Sequence, residues 1–373
     1  MWVEKLELTG WRNHAHSALT FELGTTVLIG PNGQGKTNIV EALFYLATLG
    51  SHRVSSTQPL INDGEASATV YADLRHDQRS VGVGLTLKRK GSTEAQVNGV
   101  KAKTSEVPHW VSVVMFAPED TAIIRGEPGD RRAFMDQLVI SASPSMAAVY
   151  QDFDRVIKQR NSLLKSLKVS SARDTSTLAV WNDKFIELAT QIVVARHRYL
   201  REVMPLATEK YALLAGSDVL DFRYLPSVLQ GSADSDLADP AVVTALLSEG
   251  IATRARDEIE RGISLVGPHR DDVEFTISGK LARTHASQGE TWSLALSLRL
   301  GIAQWLRQER ASGDPIIVLD DVFSELDKAR RERLVGLVSD YAQIIVTAAV
   351  EEDLPDGLGG RLVDVNAGVV TPR

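Results

Sequence analysis

A chain of 373 residues, 43% hydrophobic and 24% charged, has apolar material for one large α/β core with an insertion, or for two domains, and is too balanced for general disorder. It has no cysteine, which excludes disulfides, thiolate catalysis and cysteine-based metal sites, and a net charge of −7 excludes a wholly basic nucleic-acid coat but not a local basic face. No apolar run approaches the ~20 residues that cross a bilayer, and the N-terminus lacks a basic-then-apolar signal, so the expectation is a cytoplasmic protein without a membrane partner.

Trp2 to Thr9 alternates as a half-buried strand does, and Leu19 to Leu23 reads as a second strand. Gly10-Trp11-Arg12-Asn13-His14 lies between them, a loop placed to lay Arg12 and Asn13 against a ligand or simply to turn in solvent. Thr25 to Ile29 is a short strand of buried type. It leads into Gly30-Pro31-Asn32-Gly33-Gln34-Gly35-Lys36-Thr37, which fits G-x-x-x-x-G-K-[ST] at every position, and a helical pattern then runs from Asn38 to Gly50. Strand, loop and helix make a phosphate-binding loop. The glycines let successive N–H groups point inward, the helix N-terminus adds its dipole, Lys36 reaches the β- and γ-phosphates, and the Thr37 hydroxyl ligates Mg²⁺.

Residues 66–102 read as a β-meander with an Asn98-Gly99 turn. Val111 to Phe116 is a core strand, followed by Ala117-Pro118-Glu119-Asp120 at a helix start. From Pro128 to Arg261 the pattern is helical: Ala147 to Leu167, Leu178 to Leu214 and Pro240 to Gly262, with loops at Ser170 to Thr177 and Gly231 to Asp239. Within it, residues 153–201 hold ten Lys/Arg and four acids, either a DNA-backbone surface or solvated helix faces. Strand signal returns at Val273 to Ile277. Ser287-Gln288-Gly289-Glu290 then opens a helix through Trp305, with Ser287 and Glu290 spaced as a capping box and Ser287 and Gly289 as candidates for a second phosphate contact.

Pro315 to Leu319 is apolar, as a strand buried on both faces must be, and ends in Asp320-Asp321. At the carboxyl edge of a parallel sheet, Asp320 would hold Mg²⁺ and Asp321 orient an attacking water. Ser324-Glu325-Leu326-Asp327 and a further strand, Ile344 to Val346 ending at Thr347, follow. Histidine offers no metal site, since only His14 and His16 lie close together without a third ligand.

This order of motifs resembles the ATP-binding-cassette ATPase head: an α/β fold with mixed β-sheets, here residues 1–125 with 265–373, and a helical insertion lobe, 126–264. Leu319 to Asp327, Gly267-Pro268-His269-Arg270-Asp271-Asp272, Gly33 to Asn38 and Phe116 to Asp120 are similar to strings of the RecF family of bacterial recombination mediators, and Trp11-Arg12-Asn13 to its Phe-Arg-Asn. Glu290 and Trp292 depart from its pattern. The resemblance implies ATP and Mg²⁺ as cofactors, nucleotide contacts from Gly30 to Asn38, Arg12 and Asn13, and a homodimer in which Ser287 and Gly289 touch the facing nucleotide. It further implies slow, DNA-dependent hydrolysis through Asp321, Asp320 and Lys36, a clamp on duplex DNA and single-strand/double-strand junctions, and RecR and RecO as partners. A transporter ATPase subunit, a structural-maintenance-of-chromosomes protein or a P-loop kinase would share the loop. They do not account for the Leu319 to Asp327 string, the short insertion without sustained heptads, or Ser287 to Glu290.

Overall fold

The computed structural model describes residues 1–54, 56–76, 79–169, 176–216, 219–228, 237–309 and 313–373. In chain order the elements are β1 (Trp2–Trp11), β2 (His14–Thr20), β3 (Gly24–Ile29), α1 (Lys36–Thr48), β4 (Ser67–His76), β5 (Arg79–Lys88), β6 (Glu94–Val97), β7 (Val100–Ala102), β8 (Val113–Phe116), α2 (Ala122–Arg125), α3 (Pro128–Ala142), α4 (Met146–Val169), α5 (Ser176–Ala215), β9 (Leu220–Leu225), α6 (Pro240–Arg261), β10 (Asp272–Ile277), β11 (Lys280–Leu281), α7 (Ala282–His285), α8 (Gln288–Glu309), β12 (Ile316–Asp320), α9 (Lys328–Val338), β13 (Gln343–Ala348), β14 (Arg361–Asn366) and β15 (Val369–Pro372).

The sheet that positions the site has the order β15-β14-β3-β13-β12-β8, with β14, β3, β13, β12 and β8 parallel. β12 shows why its sequence is continuously apolar. Ile316 and Val318 enter the core shared with α1 and the N-terminal sheet, while Ile317 and Leu319 enter the core shared with α8 and the helical lobe. The N-terminal sheet, order β2-β1-β4-β5-β6-β7, is the expected meander extended by the first hairpin, and Asn98 and Gly99 both take positive φ at the β6–β7 turn. Among the described residues, no helix is long and apolar enough to cross a membrane.

Three sequence expectations shift. Residues 10–14 are not an open loop: β1 runs through Trp11 and pairs it with His14, so only Arg12 and Asn13 turn, and the second strand is His14–Thr20 rather than Leu19 to Leu23. The lobe also carries a strand. Leu220, Phe222 and Tyr224 alternate with Asp221 and Arg223, and this β9 pairs with β10, so one sheet joins residues on both sides of the 264/265 boundary drawn from sequence. Residues 170–175 and 231–236 of the two expected loops lie outside the described residues. The lobe is also held by close packing of α5 on α8, where a Cβ on Gly301 would stand 2.8 Å from the Ala207 backbone nitrogen.

Candidate functional site

The carboxyl ends of β3, β13 and β12 converge. Thr347 on β13 is the register partner of both Leu28 on β3 and Asp320 on β12, so it stands between the phosphate loop and the acid pair. Its hydroxyl donates to Asp320 Oδ1 at 2.6 Å, and the Thr37 hydroxyl donates to the same oxygen at 3.1 Å. The Asp321 amide donates to Thr347 Oγ1 at 2.9 Å. Asp320 is buried with hydroxyl donors, and burial pushes its carboxyl up to about 6 against the pull of Thr347 and Thr37. Asp321 bends out of the strand at φ 52°, a costly conformation for a residue with a Cβ. Its carboxyl is raised by burial and drawn back by the Lys36 charge.

Lys36 is buried too. Its ammonium donates to the carbonyls of Gly30 and of Pro31, the latter at 3.1 Å, and burial lowers its pKa against the opposing pull of Asp321 and Asp320. Gly33 (φ 81°) and Gly35 (φ 113°) give the loop its left-handed bends. Gly35 also needs the space, because a Cβ there would meet His14 Nε2 at 2.6 Å and Asn13 Oδ1 at 2.8 Å. The β1–β2 hairpin is thus the loop's outer wall. Asn13 Nδ2 donates to the Gln34 carbonyl at 3.1 Å, Asn38 Nδ2 to Asn13 Oδ1 at 2.7 Å, and the Trp11 indole to the Asn38 carbonyl at 2.9 Å. From the other side, the β14–β15 turn grips Gln34 through the Ala367 and Gly368 amides.

Together these groups line a cavity of about 390 Å³ bounded by Asn32, Gly33, Gly35, Lys36, Thr37, Asn38, Arg53, Asp321 and Thr347. The structure gives Arg12 another neighbour. Its guanidinium makes a two-pronged pair with the fully buried Glu41 of α1, at 2.8 and 2.6 Å, and donates to the Pro59 carbonyl, so it does not line the cavity. Sequence reasoning missed Arg53, which lines the cavity and donates to Asn38 Oδ1 at 3.0 Å from an irregular segment with no pattern to single it out. Thr347 was legible only as the polar end of a strand, and His14, buried against the Gly35 carbonyl at 3.0 Å, only as a turn residue.

Ser287 and Gly289 do not line this cavity. Ser287 is exposed at the start of α8, and the capping box forms: Glu290 accepts from the Ser287 amide at 2.6 Å and Ser287 Oγ accepts from the Glu290 amide at 3.3 Å. Both departures from the family pattern are absorbed by the fold, Glu290 as this cap and Trp292 as a buried core residue. Gly289 carries the Arg330 guanidinium over its face, where a Cβ would stand 2.7 Å from Nη2, and Arg330 in turn binds Asp327. The Ser287 to Glu290 turn is therefore tied to the Ser324 to Asp327 loop and open to solvent.

Residues 2–366 match the family described as the RecF/RecN/SMC N terminal domain. The chain is 42% identical to the DNA replication and repair protein RecF of Clavibacter sepedonicus, over 99% of this chain and 95% of that protein, and 41% identical to the protein of the same name from Streptomyces avermitilis, over 99% of each. Its fold superposes on a solved structure of the recombination mediator protein RecF-ATP in the RecFOR pathway with a TM-score of 0.88, at 25% identity, over 100% of this chain and 97% of that one. An Smc head domain from Pyrococcus furiosus, 17% identical with a TM-score of 0.54 over 100% and 96% of the two chains, shares the fold. Family model, full-length identity and superposition agree with the strings around the phosphate loop and the acid pair, and the chain belongs to the RecF family of DNA replication and repair proteins.

Proposed function

We propose that this protein is a cytoplasmic, ATP-driven DNA clamp of recombinational repair. Two copies close on Mg-ATP, the closed dimer holds duplex DNA at single-strand gaps or junctions, and slow hydrolysis reopens it so that RecR and RecO can help load recombinase on single-stranded DNA. The observation that supports this reading is that the groups suited to phosphate lie on two separate surfaces. One is the cavity of Lys36, Thr37, Asp321 and Thr347; the other is the exposed Ser287 turn, outside that cavity.

The residues fit the cofactors. The inward-turning backbone between Gly33 and Gly35, with Lys36 beneath it, is an anion cradle, and the Gly30 to Asn38 loop, braced by Asn13, would hold the nucleotide. Asp320 is a buried carboxylate served by hydroxyls, which a cation would stabilise, so Thr37 and Asp320 would hold Mg²⁺. When bound, the metal supplies charge neutralisation on the phosphate oxygens. Asp321 is turned out of β12 by its positive φ and lines the cavity, where its carboxylate would orient water. Its pKa, raised by burial, favours accepting a proton more than an exposed aspartate would. Arg12 acts through Glu41, which it anchors beneath the loop helix.

Binding of a labelled gapped duplex, with and without Mg-ATP, tests this for wild type, Asp321→Asn and Ser287→Arg, with mass by light scattering. The expected result is an ATP-dependent dimer on DNA, prolonged by Asp321→Asn and abolished by Ser287→Arg. DNA binding that ignores nucleotide and both substitutions sinks the proposal.

A further inference from the structure

The ten cations of residues 153–201 do not form one surface. Arg160 and Arg196 are buried, with carboxylates of Glu258 and of Asp136 and Asp271. Arg155, Lys184 and Arg198 pair with Asp152, Glu187 and Glu202 of their own helices, Arg201 is exposed on α5, and Arg173 lies outside the described residues. Lys158, Lys165 and Lys168 remain on α4, all exposed, and among the described residues none has a carboxylate at ion-pair distance.

These three share a face. With Asn161 they stand at i, i+3, i+7 and i+10, the spacing of one helical stripe. The segment that follows α6 runs along it. Asn161 Oδ1 accepts from the Ser264 amide at 2.8 Å and from its hydroxyl at 2.7 Å, while a Cβ on Gly262 would stand 3.2 Å from Lys165 Cγ and 3.6 Å from Lys168 Cδ. That segment brings two further exposed cations. Arg261 ends α6 just before the Gly262 cap, and Arg270 lies over the Ser264 carbonyl, to which Nη2 donates at 3.0 Å. The neighbouring acids of α6 are occupied: Glu258 with Arg160, Asp257 with Arg254 and Glu260 with Arg256.

We infer that Lys158, Lys165, Lys168, Arg261 and Arg270 form the phosphate-contacting face of the helical lobe, and that its partner is the backbone of the DNA. The inference rests on the clamp reading and gives that reading a surface. From Lys158 to Lys168 the stripe is about 15 Å long, the length of about four phosphates along one strand. Long, exposed lysines around a tight backbone turn offer phosphate oxygens point charges without a base-reading edge, so contact here is independent of sequence. The net charge of −7 makes the patch a local exception, and electrostatic selection of a polyanion follows from that contrast.

The test is the salt dependence of Mg-ATP-dependent binding to a gapped duplex. The patch variant Lys165→Ala/Lys168→Ala/Arg261→Ala is compared with a control of equal charge change, Arg155→Ala/Lys184→Ala/Arg198→Ala, and with Lys165→Arg/Lys168→Arg. Each lost phosphate contact removes about 0.9 from the log–log salt slope on duplex. The patch variant should therefore lose about 2 to 3 in slope and about ten- to hundredfold in affinity at 0.15 M salt. The control and the arginine variant should keep the wild-type slope, and all should keep nucleotide affinity and the ATP-dependent dimer mass. A patch variant with the wild-type slope, or an equal fall in the control, overturns the inference while leaving the clamp standing. If wild type itself shows no Mg-ATP-dependent DNA binding, the clamp reading falls and takes the surface with it.

Discussion

Arg160 and Lys36 are both cations withdrawn from water, one in the helical lobe and one under the phosphate loop, and their surroundings are opposite. Arg160 is 1% exposed and every arm of its guanidinium is answered: Glu258 on Nη2, Ser264 Oγ at 2.6 Å on Nη1, Asn182 Oδ1 at 2.8 Å on Nε. Its plane also lies over the Phe185 ring, 5.1 Å from the centroid. Lys36 has two carbonyls and, among the described residues, no ion pair, while Asp320 beside it has only hydroxyl donors and a carboxyl raised to about 6. A buried charge that is fully paired fixes a scaffold; one left short of a counter-charge marks where a ligand of opposite sign belongs. The comparison separates the two halves of the molecule more sharply than helix against sheet does.

The largest effect expected from it is on stability. Arg160→Ala leaves Glu258, itself 1% exposed, without its cation, and breaking a buried pair in this way costs about 3–5 kcal/mol. Removing both charges, as in Arg160→Met with Glu258→Leu, should recover most of that loss. Urea unfolding of the single and double variants measures both. A single-variant loss below about 1 kcal/mol would mean that the lobe's pairs are as dispensable as surface bridges, and the contrast with the phosphate site would dissolve.

The next effect is on binding. Lys36→Ala strands no carboxylate in an ion pair, so unfolding free energy should change by no more than about 1 kcal/mol. Loss of a charged contact to the phosphates, worth about 1.5–3 kcal/mol, should weaken ATP at least about tenfold and up to about a hundredfold. Titration calorimetry beside thermal unfolding separates the two. A variant that binds ATP normally, or one that is grossly unstable, would place Lys36 on the scaffold side.

What was legible in the sequence follows the same division. The phosphate loop and the acid pair are contiguous strings whose backbone and strand context carry their meaning, so Gly30 to Asn38, Asp320 and Asp321 were readable before any fold. The lobe's charges were not, because a sequence does not show whether a cation points in or out: Arg160 and Lys165 look alike five residues apart on α4, yet one is buried in an ion pair and the other exposed beside Gly262. Arg261 and Arg270 join that surface only through the turn after α6, a neighbourhood of about a hundred residues' separation that no local pattern encodes. Arg12 shows a related limit of sequence reading. The turn placed it near the loop as expected, but Glu41, one face of α1 away from any motif, takes its charge. β9 was readable, since Leu220, Phe222 and Tyr224 alternate, but the long helical patterns on either side outweighed six residues.

The smallest effect expected is a pH dependence at the joint between lobe and sheet. His269 packs its ring against Phe153 and Phe185, at 6.2 and 6.0 Å between centroids, and its Nε2–H donates to the Ser264 carbonyl at 3.1 Å. Among the described residues Nδ1 is buried without a partner, so a second proton would enter an unsatisfied position among Arg270, Arg160 and Arg132; burial, with those arginines adding to it, pushes the imidazole down to about 4. The unfolded chain, with an ordinary value near 6.5, then binds more protons than the folded one between those limits. Stability from the neutral ring is complete above about pH 6.5 and is lost as pH falls, by up to about 1.4 kcal/mol per unit. His269→Phe keeps the ring packing and removes the titration. It should be about 1 kcal/mol less stable than wild type at pH 7.5, for want of one hydrogen bond, and should overtake wild type at about pH 5.5. Unfolding curves that stay parallel from pH 7.5 to 4.5 would show that the ring takes its proton as readily in the fold as out of it. The joint would then yield to charge as the phosphate site does, and His269 would belong with Lys36 and Asp320 rather than with the closed pairs around Arg160.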